Sequence, residues 1–456
     1  MSVSDFTSLL IWLPVGAAIV VWILPLSRYA TGALALLVSL VEVGLWIEQA
    51  AHFNFDAKGV QFEQRATWIK DLGVSYHVGE FPFSLWLVGL TVIAMGACVG
   101  YGFFVARDRP RAYFGLMLLL TGATVGVWGG PGRLAATVKF LIFTMAGSLL
   151  MLAAIVVYGL SSGTFDLIDG PPSASRWLFL GFMAAFVIKA PLFPFHGWLP
   201  DTYREAPAEV SAVLSGVIAK AGLYGMLRIA IAKFPEPANY YRTAVLVLAA
   251  ITLVYGSILA FRASTMRGVI AYSSLAQSGL IALGLFAGTQ LGYDGAILQI
   301  VAHGLISTSL FLIAGTVERR TSTDQFALLG GMAKGRPALA TLLMTVGVIS
   351  LAVPGSASFA GEFLILAGAF QRHWWWAVIG AGAIVLAAMY MLRAISAVLH
   401  EARGSTVGDE ALDLRPGELS LVIPLVALLL FLSAWPAAIS SHTGLVINQG
   451  SQQAQP

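Results

Sequence analysis

The chain has 456 residues, of which 58% are hydrophobic and only 11% are Asp, Glu, Lys or Arg. Soluble domains carry roughly 25% charged residues, so a water-soluble globule is excluded. Twenty-six basic against 23 acidic residues give a net charge of +3, and neither a nucleic-acid partner nor a polybasic stripe is expected.

At ~20 apolar residues per crossing, the sequence predicts an all-α, polytopic membrane protein of about thirteen transmembrane helices. The spans fall at 8–27, 31–50, 81–105, 112–128, 134–159, 176–196 and 207–232. They continue at 241–261, 267–287, 294–317, 338–370, 374–392 and 418–440. No Lys or Arg precedes the first apolar run, so it reads as a retained anchor rather than a cleaved signal. Breaks are expected near Pro191 and near Pro354-Gly355, where proline removes backbone hydrogen bonds. The segment 51–80 reads as an extramembrane loop, and the polar tail after Asn448 as disordered. Three regions follow: N-terminal spans with that loop (1–110), a core (111–400), and a last span with its tail (401–456).

Basic residues test this count, because they gather in cytoplasmic loops. Arg28, Arg107, Arg109 and Arg111 follow spans one and three. From residue 129 onward the bias inverts, with Arg204, Arg262, Arg267, Arg319, Arg320 and Arg336 following even-numbered spans. A single crossing missing near Gly129–Arg133 would reconcile the two halves.

Ionisable groups at bilayer depth are costly and are functional candidates by default. Lys189, followed by Pro191 and Pro194, sets an ammonium beside a helix break. Lys220 is mid-span among small residues, and Glu362 follows the Pro354-Gly355 break. His303 can relay protons because its pKa lies near neutrality, though a hydrogen-bonded core histidine fits equally. Lys139 lies near a span end, where snorkelling to the interface is favoured over a place in the proton path. His196 suits either a loop anchor or a proton exit, and Glu42 a structural place. Glu42 and Glu362 are taken as the acids within spans. The single Cys98 cannot hold an iron–sulfur cluster, and Gly129–Gly132 and Gly330–Gly335 match no nucleotide-binding motif. Redox chemistry is therefore expected on other subunits.

The stretch Phe186–Asp201 followed by Glu205-Ala206-Pro207 resembles the signature of the antiporter-like membrane subunits of respiratory complex I. Arg267–Ser274, Ala302–Leu305 and Gly361–Leu366 extend the likeness, and Gly73–Gly79 with glutamate at 362 favours the M-type branch. The resemblance implies fourteen helices in two inverted repeats, each with a broken helix. It makes Lys189 the lysine of the first broken helix, Lys220 the central lysine, His303 its neighbour and Glu362 the terminal acid. It implies proton translocation driven by quinone chemistry elsewhere, with no cofactor in this chain. NADH, flavin, iron–sulfur clusters and quinone are expected on partner subunits. The partners are other membrane-arm subunits and the lipid bilayer, with a bacterial inner-membrane location. The family's fifth-helix glutamate, which pairs with the lysine matching Lys189, has no counterpart between Val127 and Arg133. An antiporter subunit of the same superfamily and a non-conducting structural subunit are the alternatives.

Overall fold

A computed structural model describes residues 5–55, 61–69, 74–80, 82–104, 110–119, 133–165, 170–408 and 413–441. The first helices are α1 (Asp5–Ile23), α2 (Arg28–Ala51), α3 (Pro82–Phe104), α4 (Pro110–Leu119) and α5 (Arg133–Ser162). Then come α6 (Arg176–Lys189), α7 (Leu199–Glu205), α8 (Ala208–Val213), α9 (Ala219–Gly225) and α10 (Pro235–Tyr240). The long helices α11 (Arg242–Arg262), α12 (Met266–Ala287) and α13 (Gln290–Thr321) follow. The chain closes with α14 (Pro337–Ser350), α15 (Ala357–Arg372), α16 (Trp374–Leu399), α17 (Pro416–Ala434) and α18 (Ala437–Ser440).

Among the described residues, nine stretches are long and apolar enough to cross a membrane, counting Ala208–Ile231 as one. Multi-pass membrane insertion follows. The expected junction near 129–133 falls at residues 120–132, outside those described apart from the start of α5 at Arg133. Both predicted breaks are present: α6 stops at Lys189 before Pro191, and α14 stops at Ser350 before Pro354. The 51–80 loop, by contrast, contains an antiparallel hairpin of β1 (Gln61–Ile69) and β2 (Val74–Glu80). Its period-2 signal was already visible in Val74, Tyr76 and Val78, which alternate with Ser75, His77 and Gly79.

The core centres on α12 and α13. The most apolar part of α13 is buried throughout, as expected of a helix packed on all sides. Small residues permit this: a Cβ added to Gly279 would lie 2.6 Å from Leu253 N on α11, and one added to Gly295 would lie 2.5 Å from Ile365 N on α15.

Several arginines counted as loop charges instead tie the loops down. Arg267, buried in the first turn of α12, donates to the carbonyls of Arg204 (2.6 Å) and Ala206 (2.5 Å), fixing the corner between α7 and α8. Arg320 and Arg319, at the end of α13, donate to Glu418 in the first turn of α17 at 2.6 and 2.8 Å. Glu418 also accepts from Arg415 N at 2.9 Å. Asp413 supplies the missing cap of α14 by accepting from Ala338 N (2.8 Å) and Leu339 N (3.0 Å). Burial works against the Asp413 charge, but these N–H donors, Leu414 N and Arg320 together hold its carboxyl below the usual range.

Losing one member of a buried ion pair strands the other charge. Glu418→Ala is therefore expected to destabilise the protein by about 3 kcal/mol, read as thermal unfolding of the solubilised complex. Glu418→Gln should cost less, because it keeps a carbonyl acceptor. Equal unfolding temperatures for wild type and Glu418→Ala would contradict this account.

Candidate functional site

The first broken helix is built so that its loose ends are satisfied. Pro191 and Pro194 have no N–H, and α6 ends at Lys189 with Ala190 N donating to Phe186 O at 2.8 Å. A helix end leaves carbonyls without partners. Trp198 Nε1 donates to the Ile188 carbonyl at 3.0 Å, and Phe193 N donates to Thr252 Oγ1 at 2.9 Å. Lys189 is half-buried, and the end of α6 lies against Gly222, where an added Cβ would sit 2.7 Å from Ala190 N and 3.0 Å from Lys189 Cβ. Among the described residues no carboxylate pairs with Lys189.

Gly222 belongs to the same helical turns as Lys220. The crossing from Ala208 to Ile231 is not uniform: two wide π-helical segments, Leu214–Ile218 and Met226–Ile231, bracket the α-helical turns Ala219–Gly225. Such π segments occur often at functional sites. Here they hold Lys220 at 1% exposure, and nothing among the described residues accepts a hydrogen bond from its Nζ. A buried polar group without a partner is expensive, so the protonation of this amine answers strongly to whatever charge moves nearby.

The neighbour is His303 on α13, within electrostatic reach of Lys220. His303 Nε2 shares a hydrogen bond with Ser274 Oγ at 3.3 Å, and Ser274 Oγ shares another with Ser215 Oγ at 2.7 Å. Ser215 lies in the π segment just before Lys220. Residues four apart share a helix face, so Gln299, His303 and Ser307 form one polar stripe along α13. That stripe meets Ser274 and Gln277 on α12. A small cavity of about 10 Å³, about the size that one water needs, opens between these helices and α15–α16, lined by Ser273, Gln277, His303, Ser307, Ser358 and Tyr390.

Past the cavity lies Glu362, 2% exposed on α15. Its helix starts cleanly after the second break, because Ser356 Oγ accepts from Phe359 N (3.1 Å) and Ser433 Oγ from Ala357 N (2.9 Å). Gln277 Nε2 donates to Glu362 Oε1 at 2.8 Å, and Gln299 Nε2 donates to the same oxygen at 3.3 Å. Lys220, His303 and Glu362 thus lie along one buried polar track.

The other candidates do not join it. Lys139 is exposed and forms an ion pair with Asp201 on α7 at 2.5 Å. His196 sits inside the first break, stacked on Phe193 with ring centroids 5.7 Å apart and edge-on to Tyr255. Glu42 is buried on α2, which packs on α1, α3 and α4, away from the track.

The view that Glu42 and Glu362 are the span acids needs correction. Glu209, 1% exposed on α8, accepts a hydrogen bond from Tyr113 Oη at 2.8 Å. It lies two residues inside the predicted 207–232 span, close enough to the boundary to pass for an interfacial charge. Ser215, Ser274, Gln277 and Gln299 were also missed. They carry no charge, and only their burial distinguishes them.

A profile of the NADH:quinone oxidoreductase/Mrp antiporter transmembrane family matches residues 112–389. A relative from Rhodobacter capsulatus, NADH-quinone oxidoreductase subunit M, is 32% identical, covering 96% of this chain and 95% of that protein. The chain belongs to this family. A subunit M of Rickettsia prowazekii (strain Madrid E) is 31% identical, with 91% of this chain and 90% of the relative covered. Among solved structures, a chain of respiratory complex I from Thermus thermophilus with bound NADH is similar with a TM-score of 0.86, 29% identity and full coverage of both chains. A chain of the Mrp complex from Dietzia sp. DQ12-45-1b shares the fold, with a TM-score of 0.84 at 17% identity over 100% of this chain and 98% of that one.

Proposed function

We propose that the chain is an M-type, proton-translocating subunit in the membrane arm of a bacterial inner-membrane NADH:quinone oxidoreductase. The observation that carries this reading is a buried polar series: Lys220 lies within electrostatic reach of His303, His303 joins Ser274, and the same face of α13 carries Gln299, which with Gln277 donates to Glu362. It sits in a chain whose subunit M relatives match it over nearly its whole length. Lys220 would hold a proton at Nζ, His303 would pass it across the cavity, and Glu362 would hand it toward a neighbouring subunit. Lys189, whose Cβ lies against Gly222 two positions from Lys220, would contribute to the local field that decides when Lys220 is charged. Redox chemistry would belong to partner subunits, with this chain moving protons only. The likeness to the Mrp complex is one of fold and adds no argument for a free-standing antiporter.

Glu362→Gln is nearly isosteric and cannot lose a proton. In vesicles holding the assembled complex, it is expected to lower the protons moved per quinone reduced, while quinone reduction with the gradient collapsed continues. Undiminished pumping would leave the chain as a scaffold.

A further inference from the structure

Glu362, Gln277 and Gln299 are all buried, at 2%, 6% and 0% exposure, on three different helices. Both amide N–H donors converge on Glu362 Oε1, and Gln299 Nε2 also donates to Gln277 Oε1 at 2.9 Å, so the three side chains close on one another. The amide orientations are forced. Turning Gln277 over would set its oxygen against Glu362 Oε1 and its NH2 against that of Gln299. Turning Gln299 over would set its oxygen against two others. Glu362 Oε2, equally buried, has no partner among the described residues.

We propose that Gln277 and Gln299 are positioning residues that clamp Glu362 by Oε1 alone, so that Oε2 is the single atom that takes up and releases the proton. This rests on the proton-path reading and adds an atom-level assignment to it. An unconstrained carboxylate can be protonated on either oxygen. Here the two N–H groups occupy Oε1 in both states: they donate to a carboxylate oxygen when the acid is charged and to its carbonyl oxygen when it is neutral. The proton therefore arrives and leaves without rearranging the cluster. Glutamine suits this place because its N–H carries no titratable proton to compete for the path.

The test uses infrared difference spectroscopy on the assembled complex at acid pH, together with pumping in vesicles. The carboxylic C=O band that vanishes in Glu362→Gln reports the neutral Glu362. A carbonyl that loses hydrogen-bond donors absorbs at higher frequency. That band is expected to move up in Gln277→Leu and Gln299→Leu, and further in the double variant, with pumping reduced and quinone reduction retained. Gln277→Met and Gln299→Met keep the chain length and give the same reading if the leucine variants do not assemble. A band that stays in place in all variants, or no Glu362 band at acid pH, would overturn the clamp. Loss of pumping in Glu362→Gln beside an unmoved band would remove the clamp and leave the proton path standing. Unchanged pumping in Glu362→Gln would remove both.

Discussion

Lys220→Met is expected to make the protein more stable and much less active. Lysine 220 is buried at 1% exposure and finds no hydrogen-bond partner for Nζ among the described residues. Burying such a group without a partner costs about 1–3 kcal/mol by mutational measure. Methionine has nearly the same length, adapts to irregular core space and carries no charge, so the substitution relieves that cost. Thermal unfolding of the purified complex should rise accordingly. In the same preparation, quinone-coupled proton uptake into vesicles should fall roughly tenfold or more, equivalent to at least ~1.4 kcal/mol on the barrier of the slowest step. The two signs together separate a relay from a packing residue. A lysine that only filled space would lose stability or keep pumping when replaced. Lost stability with normal pumping would sink the role assigned to Lys220.

What could be read ahead from the sequence follows from which signals are local. The two breaks were legible because Pro191, Pro194 and Pro354-Gly355 act on their own backbone, whatever surrounds them. Lys220 and Glu362 were legible because a charge inside an apolar run stands out against its neighbours. What each one touches was not legible. Glu362 meets Gln277 across 85 positions of chain and Gln299 across 63, and neither amide differs in sequence from one exposed in a loop. The π segments around Lys220 also lack a local sign, since Leu214–Ile218 and Met226–Ile231 read as ordinary apolar helix. Glu209 was lost for a third reason: span boundaries are uncertain by a residue or two, and this acid lies inside that margin. The charge-bias argument weakens as well, because Arg267 and Arg336, counted as loop charges, are buried and donate to backbone carbonyls.

The contact between α13 and α15 makes the sharpest structural test, since the same substitution should act with opposite signs at two glycines. A Cβ on Gly295 would lie 2.5 Å from Ile365 N and 2.7 Å from Gly361 O. Both are backbone atoms of α15, which cannot turn aside as a side chain can. Gly295→Ala must therefore push the two helices apart, an overpacking cost of about 1–3 kcal/mol. Gly382 on α16 has nothing within 4 Å of the same added atom. There alanine only removes the entropy penalty of a mid-helix glycine, a gain of about 0.5–1 kcal/mol. Thermal unfolding of the two variants should shift in opposite directions. The functional consequence travels through Gln299, one turn along α13 from Gly295. Its bond to Glu362 is already 3.3 Å long, so a few tenths of an ångström of separation breaks it while Gln277, on α12, keeps its 2.8 Å bond. Gly295→Ala should thus reproduce part of the infrared shift of Gln299→Leu without touching a polar residue. A stable Gly295→Ala protein with an unmoved Glu362 band would mean that the close packing of α13 on α15 does not set the geometry of this acid.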